Sequence, residues 1–172
     1  MPEFDLDRRD IDFVLHEQLE IGKLSEIPRF ADFGRDVSDA IVDQCMELAK
    51  ETLFPLNMSG DKEGCRWSKE GVSTPTGFGD AFRRLSKDGW LAMAAPAEYG
   101  GQGLPISLGI PLIEIMTAAN VSFMMYPGLT IAAANLISHW GADWMKRSVV
   151  ARLYKGDWAG TMCLTEAPRS AG

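Results

Sequence analysis

The side chains that could do acid–base or metal chemistry in this sequence are few and isolated. Glu114 lies in an otherwise apolar stretch and Glu166 follows an alternating segment, so each is a candidate proton acceptor. A buried acid paired with a helix end or a basic side chain is commoner, and we assign neither a catalytic role. His16 and His139 have no cysteine or acid at metal-ligand spacing, which favours surface or satisfied core histidines and predicts no metal site.

A run of methionine and aromatic residues is a second candidate. The run consists of Phe123, Met124, Met125, Tyr126, Pro127 and Gly128. Methionine-rich surfaces flanked by aromatic rings form adaptable apolar slots for small molecules. The same residue types at helical spacing more often belong to a core, so both interpretations stay open here.

Composition narrows the class of protein. The 172 residues are 46% hydrophobic and 24% charged, which is typical of a globular domain with a sizeable core. A net charge of -7 without a lysine or arginine run argues against nucleic-acid and anionic-membrane partners. Three widely spaced cysteines (Cys45, Cys65 and Cys163) fit neither a disulfide framework nor a zinc site, and they favour a reducing, cytoplasmic location. We expect neither a signal peptide nor a membrane-spanning segment.

Helices dominate the elements that must position these residues. Apolar side chains recur at three- and four-residue intervals, which indicates amphipathic helices. The predicted helices cover residues 7–24, 36–53, 75–88, 107–123, 129–140 and 143–155. The helix at 107–123 is apolar nearly all round, which predicts a central position, and Ser107 is its predicted N-cap.

Glycine and proline predict where these helices end. Phe54-Pro55 is expected to end the second helix, and residues 56–76, rich in turn formers, are predicted to form a long loop. Pro127-Gly128 is predicted to separate two helices. The predicted C-terminal glycine caps are Gly89, Gly141 and Gly156.

The last segment has a different pattern. Met162 and Leu164 alternate with Thr161, Cys163 and Thr165, which is the period of a β-strand. The predicted fold class is therefore mainly α, with a strand at the C-terminal end.

Four motifs occur in an order and at separations that resemble the acyl-CoA dehydrogenase family. They are Gly89-Trp90, the Glu-Tyr-Gly-Gly-Gln-Gly-Leu-Pro run at 98–105, Tyr-Pro-Gly-Leu-Thr at 126–130 and Gly-Asp-Trp-Ala-Gly-Thr-Met-Cys-Leu-Thr-Glu at 156–166. One glycine-rich turn is weakly specific, but the ordered set is strongly so. The lead-in at 9–15 resembles the extra N-terminal segment of the branch typified by 3-methylmercaptopropionyl-CoA dehydrogenase, so nearly the whole chain is matched.

The resemblance implies a three-part enzyme with FAD and the acyl thioester held between a helical N-terminal domain, a middle β-domain and a C-terminal helical bundle. It predicts an N-terminal extension at 1–33, the helical domain at 34–157 and the start of a truncated β-domain at 158–172. The implied reaction removes the α-proton of an acyl-CoA with a carboxylate base and the β-hydrogen as hydride, giving the trans-2-enoyl-CoA. Its implied partners are the acyl-CoA substrate, an electron-transfer flavoprotein and further copies of the chain.

The resemblance also suggests site residues. It places Met162, Leu164 and Thr165 beside the flavin, where strand backbone groups and a hydroxyl can bond the polar rim of the ring. It places 123–128 in a turn that lines the acyl pocket. The family's base belongs to the absent C-terminal bundle, so no catalytic residue is expected here.

The sequence departs from the family pattern after Glu166. The family continues with Pro-x-Ala-Gly-Ser-Asp, whereas this chain reads Ala-Pro-Arg-Ser-Ala-Gly at 167–172. We therefore expect the N-terminal portion of an acyl-CoA dehydrogenase that is inactive in isolation. The alternative is a non-catalytic helical interaction module or a partner subunit of a full-length homologue.

Overall fold

The computed structural model describes residues 4–161 and residue 163 of the chain. Within them helices predominate, and the prediction of a mainly α fold is confirmed. The α-helices are α1 (Arg8–Asp12), α2 (Arg35–Leu48), α3 (Phe54–Glu63), α4 (Phe78–Lys87), α5 (Ile106–Ala119), α6 (Val121–Trp140), α7 (Asp143–Met145) and α8 (Ala151–Tyr154). A single antiparallel hairpin among the described residues joins β1 (Arg66–Ser68) to β2 (Gly71–Ser73).

Short segments of tighter or wider helix extend these elements. Three π-helical segments are Phe13–Gln18 after α1, Ala49–Leu53 between α2 and α3, and Lys146–Val150 between α7 and α8. The 3₁₀ segments are Ile21–Glu26, Pro28–Phe30, Trp90–Ala92 and Ala97–Tyr99. The predicted helix at 143–155 is confirmed as α7, its π-helical continuation and α8.

The chain does not leave the helix at Phe54-Pro55. Pro55 lies in the first turn of α3, where proline is tolerated, so helix continues from Arg35 to Glu63. The predicted loop at 56–76 is therefore wrong, since it holds most of α3 and the hairpin. The glycine at position 60 has a packing reason and does not mark a turn. A Cβ there would lie 2.6 Å from the ring of Phe78.

The main core lies between α2, α4, α5 and the start of α6. Its fully buried members include Val42, Leu53, Leu85, Leu108, Leu112, Ile115 and Phe123. The rings of Phe78 and Phe123 meet edge to face at 5.5 Å between centroids, an arrangement that aromatic pairs favour. A smaller cluster joins α6 to α8 through Ala134, Val150, Leu153 and Tyr154.

Helix α5 is buried on one face only. The buried face consists of Leu108, Leu112, Ile115, Met116 and Ala119. The prediction that the helix is central is wrong, because Ile106 and Ile110 on the other face are 65% and 58% exposed. Ser107 is not the N-cap either, since α5 begins at Ile106 and the cap position is Pro105, without a side-chain hydrogen bond.

The break between α5 and α6 lies at Asn120 and not at Pro127-Gly128. Asn120 has an extended backbone, and its Oδ1 accepts a hydrogen bond of 3.0 Å from the Phe123 amide, capping α6. Its Nδ2 donates a bond of 3.1 Å to the Leu53 carbonyl. Helix α6 then continues through Pro127 to Trp140, so the predicted separation into two helices is wrong.

Helix α6 is also the one described helix that is long and apolar enough to cross a membrane. Its 18-residue apolar window has a mean hydropathy of 1.3, and 28% of that window is buried inside the domain. Core helices of soluble proteins meet the same criteria of length and composition, so this is weak evidence for a span. Because Pro127-Gly128 predicts a break between two helices, the sequence pattern does not indicate that α6 has 20 residues.

Two of the three predicted glycine caps are confirmed. Gly89 and Gly156 follow helices with φ of 83° and 76°, the left-handed conformation that glycine adopts without strain. Gly141 ends α6 in an extended conformation instead, with φ of -69°. A Cβ at Gly141 would lie 2.6 Å from the Ile137 carbonyl oxygen, so close approach of backbone explains this glycine.

Replacing Asn120 with alanine should destabilise the domain by about 2–3 kcal/mol, because the change removes a helix cap and leaves the buried Leu53 carbonyl without its partner. Urea unfolding followed by tryptophan fluorescence measures this loss. Ser122→Ala is the matched control, since its exposed hydroxyl donates to the same Asn120 oxygen, and it should cost less than about 0.5 kcal/mol. Equal losses in the two variants would contradict the assignment.

The cysteines should differ sharply in reactivity. Burial raises the pKa of the Cys45 thiol to about 12, whereas Cys65 and Cys163 are exposed. At about pH 8 a thiol-specific disulfide reagent should therefore label Cys65 and Cys163 within minutes and label Cys45 only after denaturation, because the thiolate is the reactive form. The double variant Cys65→Ser/Cys163→Ser should be silent in the folded state. Rapid labelling of that variant would show that Cys45 is accessible.

Candidate functional site

An apolar cleft of about 250 Å³ opens between α4, α6 and the segment that follows α8. Its lining consists of Thr74, Phe78, Gly79, Phe82, Arg83, Phe123, Tyr126 and Ala159. Phe78 and Phe82 come from α4, and Phe123 and Tyr126 lie three residues apart on one face of α6. The cleft is therefore an aromatic slot between two helices.

The structure brings two of the six predicted substrate-binding residues to this cleft. Phe123 and Tyr126 line it, while Met124 and Pro127 are buried without lining it. Met125 is 55% exposed, and Gly128 is exposed as well. The expected turn at 123–128 is wrong, because these residues form continuous helix and their side chains spread around its circumference.

Tyr126 supplies a phenol to a largely apolar slot whose lining also includes Thr74 and Arg83. Its ring lies edge-on to Phe78, with centroids 6.5 Å apart, and its hydroxyl is 3.8 Å from the Cys65 Sγ. Burial, followed by the hydrogen bond and charge of Cys65, raises the pKa of the Tyr126 phenol above its ordinary value. The phenol therefore stays neutral near pH 7 and can donate a hydrogen bond.

A second, more open cleft of about 550 Å³ lies on the other side of the same segment. Its lining consists of Ala133, Ile137, Val149, Leu153, Asp157, Trp158, Ala159, Gly160 and Thr161. Ala159 lines both clefts, so one residue forms a thin wall between them. Access to the two spaces is thus coupled to the position of the 158–161 segment.

Helix α6 holds this wall in place. The Gly160 amide donates a 3.1 Å hydrogen bond to the Thr130 Oγ1, which itself donates to the Tyr126 carbonyl at 2.9 Å. Gly160 can lie this close because a Cβ would meet the Ala133 Cβ at 2.6 Å. The Arg152 guanidinium lies 4.6 Å from the centroid of the Trp158 indole, a cation–π contact that fixes the start of the segment.

The predicted flavin-binding residues follow this wall directly. Met162, Leu164 and Thr165 lie outside the described residues, so their placement stays a prediction. Residues 158–161 and Cys163 are described and are not in a strand, and the other residues of the predicted strand lie outside the described residues. The second cleft ends at Thr161, and its lining combines apolar side chains with the Thr161 hydroxyl and the Asp157 carboxylate.

Sequence reasoning missed Ala159 and the two α4 phenylalanines as site residues. Phe78 and Phe82 were detectable as the apolar face of a predicted helix, but that pattern indicates a core and not a cleft. Ala159 has no chemical signal of its own. Its place in the site depends on how the chain folds back over α6.

Glu114, His16 and His139 line neither cleft. Glu114 is exposed on α5, next to a different groove, and Glu166 lies outside the described residues. The His16 Nε2 is 2.6 Å from the Asp39 Oδ1, so this largely buried histidine has its partner in a carboxylate. The prediction of a satisfied histidine is confirmed there.

A potential metal-binding group surrounds the same histidine. Ligand atoms of Asp12, His16 and Asp39 lie within 4.8 Å of one another. The Arg8 guanidinium, however, is 2.7 Å from Asp12 and 3.4 Å from Asp39, and it also pairs with Asp43. The guanidinium groups of Arg8 and, at 3.7 Å from Asp39, Arg35 thus already pair with these carboxylates, which favours an ion-pair network over a cation site.

Comparison with known proteins identifies the family to which this helical domain belongs. The family described as "acyl-CoA dehydrogenase, N-terminal domain" matches residues 37–157. The 3-methylmercaptopropionyl-CoA dehydrogenase of Ruegeria pomeroyi is 32% identical over 158 residues, which cover 92% of this chain and 27% of that protein. A butyryl-CoA dehydrogenase of Syntrophomonas wolfei is 30% identical over 162 residues, 92% of this chain and 26% of that protein.

The chain therefore spans about a quarter of the length of these relatives. The family match covers the helices that build both clefts, from α2 to the end of α8. The relative from Ruegeria extends the similarity over nearly the whole chain. This chain belongs to the acyl-CoA dehydrogenase family and carries the helical N-terminal domain of that family.

Proposed function

We propose that the protein containing this chain is an FAD-dependent acyl-CoA dehydrogenase that oxidises an acyl-CoA thioester to the trans-2-enoyl-CoA. The observation that carries the proposal is the pair of clefts that share Ala159 as a common wall. A dehydrogenation of this kind needs an acyl slot directly beside the flavin edge. The narrower, aromatic cleft suits the acyl chain, and the more open cleft beside Thr161 suits the ring.

The acyl slot favours a short chain. Its volume of about 250 Å³ is below the ~300 Å³ at which pockets for drug-sized ligands begin. Phe78, Phe82 and Phe123 supply apolar contacts to the chain, and Tyr126 offers a hydrogen-bond donor. These residues bind and orient the acyl group, and no residue of this chain is assigned as the base that takes the α-proton.

Met162, Leu164 and Thr165 are the residues we propose to contact the flavin. FAD, when bound, would accept the β-hydrogen of the substrate as a hydride. The domain contributes the apolar wall at Ala133 and Ile137, which excludes water from that side of the reacting carbons. We do not expect the isolated 172 residues to hold the cofactor, because the sequence departs from the family pattern after Glu166.

We further propose the partners and location that follow from this activity. The acyl-CoA is the substrate, an electron-transfer flavoprotein receives the electrons, and copies of the complete protein associate with one another. The acidic charge and the odd cysteine number support a cytoplasmic protein without nucleic-acid or membrane partners.

The alternative is a non-catalytic interaction module. It is favoured by the exposed apolar residues Leu136, Trp140 and Trp144, which are 63%, 84% and 63% accessible. Size-exclusion chromatography of the 172-residue chain, with and without a full-length homologue, separates the two functions. A chain that stays monomeric and binds no homologue would count against the module.

Ala159→Leu tests the enzyme in a full-length protein that contains these residues. The larger side chain should fill the acyl slot and lower kcat/KM for a butyryl-CoA probe by about tenfold or more, because the substrate loses its place beside the flavin. Turnover is followed with an artificial electron acceptor, and bound flavin by its absorbance. Ala142→Leu, at an exposed alanine outside both clefts, is the control and should leave turnover unchanged.

Three results would overturn the enzyme proposal. A full-length protein that holds no flavin would remove its cofactor. A flavin-bearing protein that leaves short and medium acyl-CoAs unchanged would remove its substrate class. Equal kcat/KM in the Ala159→Leu and Ala142→Leu variants would show that the cleft is not the acyl slot.

A further inference from the structure

The face of α5 that points away from the core carries a second apolar stripe. Ile106, Ile110 and Ile113 follow one another at the i, i+4, i+7 spacing and are 65%, 58% and 40% exposed. This spacing aligns them along one side of the helix, as in helices that pack against another helix. The core residues of α5 lie on the opposite side, so the stripe is a separate contact surface.

The N-terminal extension provides the second wall of a groove over this stripe. Val14 and Leu19 border it and are 42% and 56% exposed, while the buried Leu15 lines its base. The groove has a volume of about 460 Å³. Its α5 wall runs from Ile106 to Glu114, a distance of about 12 Å, which is roughly two helical turns.

The charged residues of the groove have one sign. Asp10 and Glu114 are its only charged lining residues, and within residues 4–161 neither forms an ion pair. The chain as a whole carries a net charge of -7. An apolar groove with free carboxylates complements an apolar ligand that carries positive charge, and it repels an anionic lipid surface.

We propose that this groove binds an amphipathic helix of a partner protein. About two turns of its apolar stripe pack on Ile106 and Ile110, and its lysine or arginine side chains pair with Asp10 and Glu114. A helix suits the site because the groove is elongated and lies between two helical walls. No lining residue is shared with the acyl slot or the open cleft, so the proposal is independent of the enzyme function.

Two designed peptides test the proposal on the 172-residue chain. Both are helical, about 14 residues long and carry leucines at the i, i+4, i+7 spacing, but one has lysines beside the stripe and the other has glutamates. Fluorescence anisotropy measures their binding. The lysine peptide should bind about tenfold or more tightly than the glutamate peptide, because only the former complements the two carboxylates.

Variants of the chain locate the binding. Ile106→Gln/Ile110→Gln should weaken the lysine peptide by about tenfold or more, since two apolar contacts are lost. Asp10→Asn/Glu114→Gln should weaken it by about threefold to tenfold, the range expected for exposed ion pairs. Leu136→Gln is the control, because it changes an equally exposed apolar residue on α6 and should not alter binding. Circular dichroism verifies that each variant is folded.

Several outcomes would overturn the proposal. These are no binding of either peptide, equal affinity for both, or unchanged affinity in the folded isoleucine variant. Self-association of the chain that disappears in that variant, seen by sedimentation, would assign the groove to a second copy. Cosedimentation with vesicles of phosphatidylcholine and phosphatidylglycerol that requires the two isoleucines would assign it to a lipid surface.

Discussion

The buried side chain of Asn120 is the interaction on which the arrangement of this domain depends. Its oxygen caps α6 and its amide nitrogen donates to the carbonyl of Leu53, so one residue ties the middle of the continuous α2–α3 helix to the junction of α5 and α6. Both polar groups of the amide are satisfied in a place without water, where an unpaired carbonyl would be costly. The direction in which α6 leaves this junction decides where Phe123, Tyr126 and Thr130 lie.

Close backbone approach builds the site on that helix. Glycine at 160 lets the segment after α8 lie against Ala133, and the Thr130 hydroxyl turns this contact into a hydrogen bond. Ala159 of the bonded segment lines two clefts of different character, one narrower and aromatic and the other more open. The domain thus shapes the two clefts through packing and backbone contacts between distant elements.

The two faces of α5 show how one apolar helix can serve two surfaces. Leu108, Leu112 and Ile115 pack into the core, while Ile106 and Ile110 stay exposed beside the N-terminal extension. Exposed isoleucines lower the solubility of a protein, and a helix face that only contacts water usually carries polar residues instead. The contrast with the charged outer residues of α2 and α4 makes this groove a distinct feature of the molecule.

The sequence by itself determined the helical class, the core face of most helices and the family, because apolar periodicity and an ordered set of motifs are local properties of the chain. It did not determine that Pro55 and Pro127 lie within helices, since proline and glycine punctuate a helix only where no neighbour compensates for them. The sequence also did not show that Ala159 lines the clefts. It did not show that Phe123 and Tyr126 line the aromatic cleft while Met125 lies outside it. Those assignments required the tertiary structure, because a cleft is formed by the relative positions of distant elements, and residue types alone do not encode them.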